Sequence, residues 1–140
     1  MLDEISRNDT FRAVVAARAE RVVGFVYGYS LPTDHGWWND FPGELPADLT
    51  QEWAGRTFAV IDLAVDSDIR KQGVGRQLLA ELFHHRPEQR AVLSVQPTAT
   101  AAHGFYARLG WTLVGRKGPM RGVDPPCWDI YLRPIDGQGR

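Results

Sequence analysis

Between Arg70 and Arg76 the chain reads RKQGVGR, two glycines one residue apart framed by Arg70, Lys71 and Arg76. These residue types suit an anion. Gly73 and Gly75 let backbone N–H groups approach a phosphate with no Cβ in the way. Arginine and lysine add mobile positive charge around the same opening. A helix beginning near Gly73 would contribute N–H groups without intrahelical partners and roughly half a positive charge from its dipole. Two phosphate loops are excluded by spacing. No G-x-x-x-x-G-K-[ST] occurs, and the third glycine of G-x-G-x-x-G is replaced by Leu78. Taken alone, the glycines are also compatible with a plain strand end whose arginines are solvated.

The elements that would position this turn follow from periodicity. Phe11–Glu20 and Arg21–Leu31 are rich in β-branched and aromatic residues and predict an antiparallel hairpin turning at Glu20–Arg21. Residues 32–46 (PTDHGWWNDFPGELP) are loop chemistry, and Ala47–Ala54 reads as a short helix. Thr57–Val65 (TFAVIDLAV) is a nearly continuous apolar run, as expected of a strand covered on both faces. Val74, Leu78, Leu79, Leu82 and Phe83 recur at helical spacing, with Arg86–Pro87 as the stop. Ala91–Val95 is a short buried strand. Thr98–Leu109 places Ala102, Phe105, Tyr106 and Leu109 on one helical stripe, ended by Gly110. Trp111–Gly115 and Cys127–Leu132 complete the strands, and the polar tail 136–140 is expected to be disordered. The order β-β-loop-β-α-β-α-β-β describes one mixed α/β domain over residues 1–140.

Composition excludes several classes. The 140 residues suffice for one core, and the net charge of −1 gives no bulk attraction to nucleic acid or a membrane surface. No apolar run approaches the roughly 20 residues of a membrane helix. MLDEISRNDTF lacks the basic-then-apolar layout of a signal peptide. Cys127 is the only cysteine, which fits a reducing compartment and a cytoplasmic location. Basic residues are nearly all arginine, with Lys71 and Lys117 the only lysines, a bias that suggests a GC-rich bacterial genome. His84–His85 end a helix, where histidine suits the dipole. No metal site is expected, because no cysteine or carboxylate stands at ligand spacing. Cys127 reads as a core residue before an apolar strand, and His103 lies on the later helix with either face open to it.

The surroundings of the glycine turn narrow its meaning. LAVDSDIR precedes R-x-x-G-x-G, an amphipathic helix follows, and AAHGFYARLGW comes about twenty residues later. Together these resemble the GNAT N-acetyltransferase superfamily, from about Phe11 to the last strand. The resemblance implies an α/β fold with a mixed, largely antiparallel sheet flanked by helices and a splayed strand pair at the cofactor site. It implies acetyl-coenzyme A as co-substrate, its pyrophosphate held by the Arg70, Lys71, Gln72, Gly73, Val74, Gly75, Arg76 turn through backbone amides. Leu63, Ala64 and Val65 would pair with the pantetheine arm, and the amide of Leu63 or Val65 would face the thioester oxygen. Tyr106 stands where many relatives keep the tyrosine that protonates the sulfur; its alternative is a core tyrosine. Asp62, the one carboxylate in its strand, is the best candidate base, with Asp34, Asp40 and Glu52 as alternatives. The expected acceptor is a small-molecule amine. A non-enzymatic acyl-coenzyme A-binding domain and a protein N-terminal or lysine acetyltransferase are the alternatives.

Three departures from the family pattern carry consequences. The family opens with a strand and two helices before the hairpin, and here the hairpin begins almost at once. The acceptor pocket would then be open, completed by a missing segment, or completed by a second protomer in a homodimer. An asparagine near the start of the later helix is replaced by Thr98 or Ala99. The long loop carries Trp37, Trp38 and Asp40, which would either line an acceptor pocket or cover sheet left bare by the absent helices.

Overall fold

The computed structural model describes residues 2–7 and 10–135, and of 3–7 the backbone only. Seven strands form one sheet: β1 (Leu2–Arg7), β2 (Phe11–Arg18), β3 (Arg21–Ser30), β4 (Thr57–Val65), β5 (Arg90–Val95), β6 (Thr112–Lys117) and β7 (Trp128–Pro134). Three helices accompany them: α1 (Ala47–Thr50), α2 (Val74–Phe83) and α3 (Thr100–Arg108). The sheet order is β1-β2-β3-β4-β5-β7-β6. Only the β4–β5 pair is parallel. This is the mixed, largely antiparallel α/β architecture expected.

The hairpin turns through Ala19 and Glu20, both left-handed at φ 50° and 65°. That turn matches the right-handed twist of the strands it joins. Strand β1 was not expected. LDEISR is polar, yet it pairs antiparallel with β2, because strand identity at a sheet edge is set by the neighbour as much as by propensity. The opening strand is therefore present, while residues 8–10 are too few for helices between β1 and β2. The tail 136–140 lies outside the described residues.

One face of the sheet carries the main core. Val14, Ala16, Val26, Phe58, Val60 and Leu93 meet the apolar stripe of α2 (Val74, Leu78, Leu79, Leu82) and Tyr106 of α3. Helix α2 ends at Phe83, before Arg86–Pro87. Its last carbonyls are met from the sheet: the Arg12 guanidinium on β2 donates to Leu82 O at 3.0 Å and His84 O at 2.6 Å. A cation there complements the C-terminal dipole. Helix α3 ends as its sequence implies, with Gly110 left-handed at φ 87°. Trp111 N–H donates to the Tyr106 carbonyl at 3.1 Å.

The opposite face holds a smaller cluster, Leu31, Ala59 and Val92, covered by Trp37, Trp38 and Leu132. The two tryptophans thus pack against the sheet. Helix α1 is shorter than the predicted 47–54, because Gln51 turns extended (ψ 131°) and brings Glu52 under the loop. There Glu52 accepts hydrogen bonds from Trp38 Nε1 at 2.9 Å, Thr57 Oγ1 at 2.8 Å and Arg90 Nη2 at 2.6 Å.

Candidate active site between strands β4 and β5

β4 does not keep one environment. Thr57, Phe58 and Ala59 pair in parallel with Arg90, Ala91 and Val92, and the register ends there. Beyond Ala59 the two strands diverge, and the coverage expected on both faces of β4 holds only as far as Val60. Ile61, Asp62 and Ala64 are exposed. Asp62 is therefore a surface carboxylate at the edge of an opening, not a buried one. A β-bulge between Val60 and Asp62 against β3 re-aims this stretch.

The divergence opens a slot of about 130 Å³ lined by Val60–Leu63 on one side and Leu93–Val95 on the other, with Ala102 and Tyr106 on the α3 side. Asp66 N–H donates to Val23 O at 2.8 Å. Backbone groups alternate in direction along a strand, so those of Leu63 and Val65 turn away from β3 and toward the slot, whereas Ala64 turns toward β3.

Tyr106 is 9% exposed and packs edge-on against Trp111, with ring centroids 5.8 Å apart. Burial, and next the negative charge of Asp62, push its hydroxyl pKa up to about 12. It stays protonated throughout the physiological range. His103, on the same helix, has its Nδ1 2.6 Å from the Tyr131 hydroxyl, and Tyr131 in turn lies 6.1 Å from the Tyr106 ring. This structural clamp fixes α3 to β7 beside the slot.

The glycine turn follows β4 beyond Val65. A single 3-10 turn (Ser67–Ile69) leads to Lys71, left-handed at φ 69°, and Gly73, left-handed at φ 82°. The first helical bond runs from Gln77 N–H to Gly73 O, and no side chain caps the helix. The amides of Val74, Gly75 and Arg76 precede that bond. A Cβ at Gly73 would point into open space, so its requirement is conformational. At Gly75 a Cβ would meet Phe105 Cζ at 3.0 Å; this glycine lets α2 and α3 approach. Arg18 steadies the turn by donating to Gln72 Oε1 at 2.7 Å. Arg70 Nε reaches Val65 O at 3.3 Å.

The loop forms a separate concavity of about 460 Å³, lined among others by His35, Trp38, Asp40, Phe41, Glu44 and Glu52. Trp37 is not part of its wall. Glu52 is engaged as a structural acceptor: burial alone would raise its pKa, but the bonds from Trp38, Thr57 and Arg90 outweigh that and hold it below its ordinary 4.5. Burial holds the Lys117 ammonium below its ordinary 10.5, and the charge of Asp40 offsets part of that. Asp34 is exposed outside both cavities. Ser94 and Ile61 were not singled out in the sequence, and Ala102 only as part of a helical stripe, because only the divergence of β5 brings them to the slot. Cys127 is half-buried. Among the described residues no cluster of three or more His, Cys, Asp or Glu is placed to hold a metal, and no helix is long and apolar enough to cross a membrane.

Residues 1–111 match the model of the acetyltransferase (GNAT) family. Comparison with curated proteins finds no match. Among solved structures, Arabidopsis thaliana NAA60 in complex with a bisubstrate analogue superposes with a TM-score of 0.69 at 17% identity, over 92% of this chain and 78% of that one. An aminoglycoside 6'-acetyltransferase type Ii gives 0.64 at 20% identity, over 94% and 73%. Ard1 from Thermoplasma volcanium gives 0.61 at 19%, over 90% and 70%. At these identities the likeness is one of fold.

Proposed function

Because the chain belongs to the acetyltransferase (GNAT) family, we propose that it transfers an acetyl group from acetyl-coenzyme A to the amine of a small molecule. The observation that carries this reading is the slot itself. It brings a buried, protonated tyrosine and an exposed carboxylate to one opening beside β4, the strand that leads through Val65 into the uncapped helix N-terminus at Gly73. The residues present fit the co-substrate. Amides of Lys71 to Arg76 would hold its pyrophosphate, with Arg70, Lys71 and Arg76 supplying charge. Backbone groups of Leu63 and Val65, together with Ala64 between them, would receive the pantetheine arm where β5 no longer pairs.

When bound, acetyl-coenzyme A supplies the thioester carbon that the amine attacks, its C–S bond breaking as the C–N bond forms. Asp62 takes one proton of the incoming ammonium, directly or through water, and the second N–H proton, shed as the amide forms, replaces the one that Tyr106 gives up. The Leu63 or Val65 amide donates to the carbonyl oxygen as charge develops there, a contribution of roughly 3 kcal/mol to the barrier. Tyr106 donates its hydroxyl proton toward the departing sulfur. A phenol near 12 is a weak acid for an ordinary thiolate. Part of that elevation comes from the charge of Asp62, and it vanishes once Asp62 has accepted the proton. The base thereby makes the acid stronger at the step that needs it.

The donor turn belongs to the helix-covered face, so the acceptor approaches from the opposite one, where Asp62 and Ser94 are exposed. Trp38 and Asp40 line the neighbouring loop concavity and would bound that approach, with Trp37 as support beneath.

Thiol release over a panel of amines tests the reading, with Tyr106→Phe and Asp62→Ala beside the parent. Release above background that falls in both variants supports it. No release with any amine, while coenzyme A still binds, would favour an acyl-coenzyme A-binding domain. The donor turn is tested separately by titrating coenzyme A into Gly73→Val and Gly75→Val. Unchanged affinity in both would remove the turn from the site.

A further inference from the structure

The sheet face through which the acceptor would arrive is not uniform. Its β4–β5 start is roofed by Trp37 and Trp38 over Ala59 and Val92. Beside the slot the cover ends, and β3 presents Phe25, Tyr27 and Tyr29 at alternate positions on this face. Register places Phe25 opposite Ala64, Tyr27 opposite Asp62 and Tyr29 opposite Ala59. On the other side β2 sets Val15, Ala13 and Phe11 against the same three residues.

The rings form a ladder. Phe25 and Tyr27 stack at 6.4 Å with planes 19° apart, and Phe11 lies 6.1 Å from Tyr27. Ala13 and Ala64, the small residues opposite Tyr27 and Phe25, leave the ladder standing above a floor of small side chains. Tyr29 is 37% and Ile61 39% exposed. Among residues 11–17, 25–29 and 59–64, Asp62 is the only charge that register sets on this face. Arg12 points to the other side, into the end of α2.

From this we propose that the acceptor is an arylalkylamine: a flat apolar group lying along Phe25 and Tyr27, with its amine on Asp62 at the slot. The proposal deepens the acetyltransferase reading and rests on it. Side chains opposite each other in an antiparallel pair are about 5 Å apart at Cβ. That spacing matches an amine one or two carbons from its ring. An aromatic ladder rewards a flat hydrophobic group, and a single carboxylate among apolar residues rewards one cation. A polyamine would set its further charges over Phe25 and Ala64, which offer no countercharge of their own. A sugar amine presents less flat apolar surface to the ladder.

The experiment compares phenethylamine with putrescine and glucosamine, in parent, Phe25→Ser, Tyr27→Ser and Tyr27→Phe proteins. The expected kcat/KM for phenethylamine exceeds that of the other two by at least about tenfold. Tyr27→Ser and Phe25→Ser should raise its KM about tenfold, with KM for acetyl-coenzyme A unchanged and Tyr27→Phe close to parent. Equal or better use of putrescine or glucosamine overturns the proposal. So does a KM for phenethylamine indifferent to both serine variants. Calorimetry of the same amines with coenzyme A present reads the surface without turnover. If phenethylamine binds preferentially there and loses affinity in the serine variants, the proposal stands even without thiol release, and the failure belongs to the transferase reading. If sedimentation finds a dimer that these variants dissociate, and no aryl preference appears, the face is an interface between copies and the proposal falls.

Discussion

Over Thr57–Ala59, β4 is hydrogen-bonded to β5, buried on both faces and tied across by side chains. Over Ile61–Val65 the same strand faces a slot, and three of its five residues are exposed. The two halves have similar composition, so the difference lies in what flanks them. At the closed end Thr57 and Arg90 stand opposite each other. Arg90 Nε donates to Thr57 Oγ1 at 3.0 Å and Nη2 to Glu52 at 2.6 Å, and the guanidinium sits 5.2 Å from the Trp38 ring. At the split end the pairing of β4 with β5 has stopped, and Tyr106 lines the gap from the α3 side. The closed half stabilises; the split half holds the groups able to do chemistry.

The contrast can be broken at either end. The largest effect is expected at the closed one. Arg90→Met leaves Glu52 buried beneath the loop without its countercharge, at a cost of about 3–5 kcal/mol in urea denaturation. Asp62→Asn in the split half should stay within about 0.5 kcal/mol. Comparable losses would mean that the halves are not energetically distinct. Tyr106→Phe should invert the pattern, lowering the thiol-release rate about 100-fold while changing stability by less than about 1 kcal/mol. With the hydroxyl pushed up to about 12, the parent rate should also show no alkaline loss from this group through pH 10, and a Tyr106-dependent loss below that would contradict the assigned environment.

Smaller effects sharpen the turn. Gly73→Ala places a Cβ on a residue at φ 82° and should cost roughly 1 kcal/mol. Gly75→Ala meets only the ring end of Phe105 and should cost less in stability while displacing that ring. The smallest effect is acidic. Glu52 titrates below its unfolded value of 4.5, so its contribution is complete above about that pH and is lost as pH falls through the lowered folded value. Glu52→Gln should therefore flatten the fall of the urea midpoint below about pH 4.5. An acid limb identical to the parent's would place the loss elsewhere.

Local chemistry was largely legible. The turn at Gly73, the α2 stripe, the Gly110 stop and the hairpin, read at Glu20–Arg21 and found one residue earlier at Ala19–Glu20, all depend on residues within a few positions of one another. What was misread depended on distant partners. LDEISR is a strand because β2 lies beside it. Ala47–Ala54 stops early because Glu52 is drawn under the loop toward Arg90, 38 residues away. Asp62 looked buried because TFAVIDLAV is apolar throughout. The aromatic alternation at Phe25, Tyr27 and Tyr29 was visible in the sequence, but its alignment with Asp62 was not.

The sequence by itself determined which segments could be strands or helices, and it set a basic, left-handed turn at the mouth of α2. Those outcomes follow from backbone conformations and contacts that span a turn or less. Only the tertiary structure decided that β5 leaves β4 after Ala59, that Tyr106 and Asp62 meet at the resulting slot, and that Gly75 answers to Phe105. Each of these depends on segments brought together across the fold, whose pairing no local preference encodes.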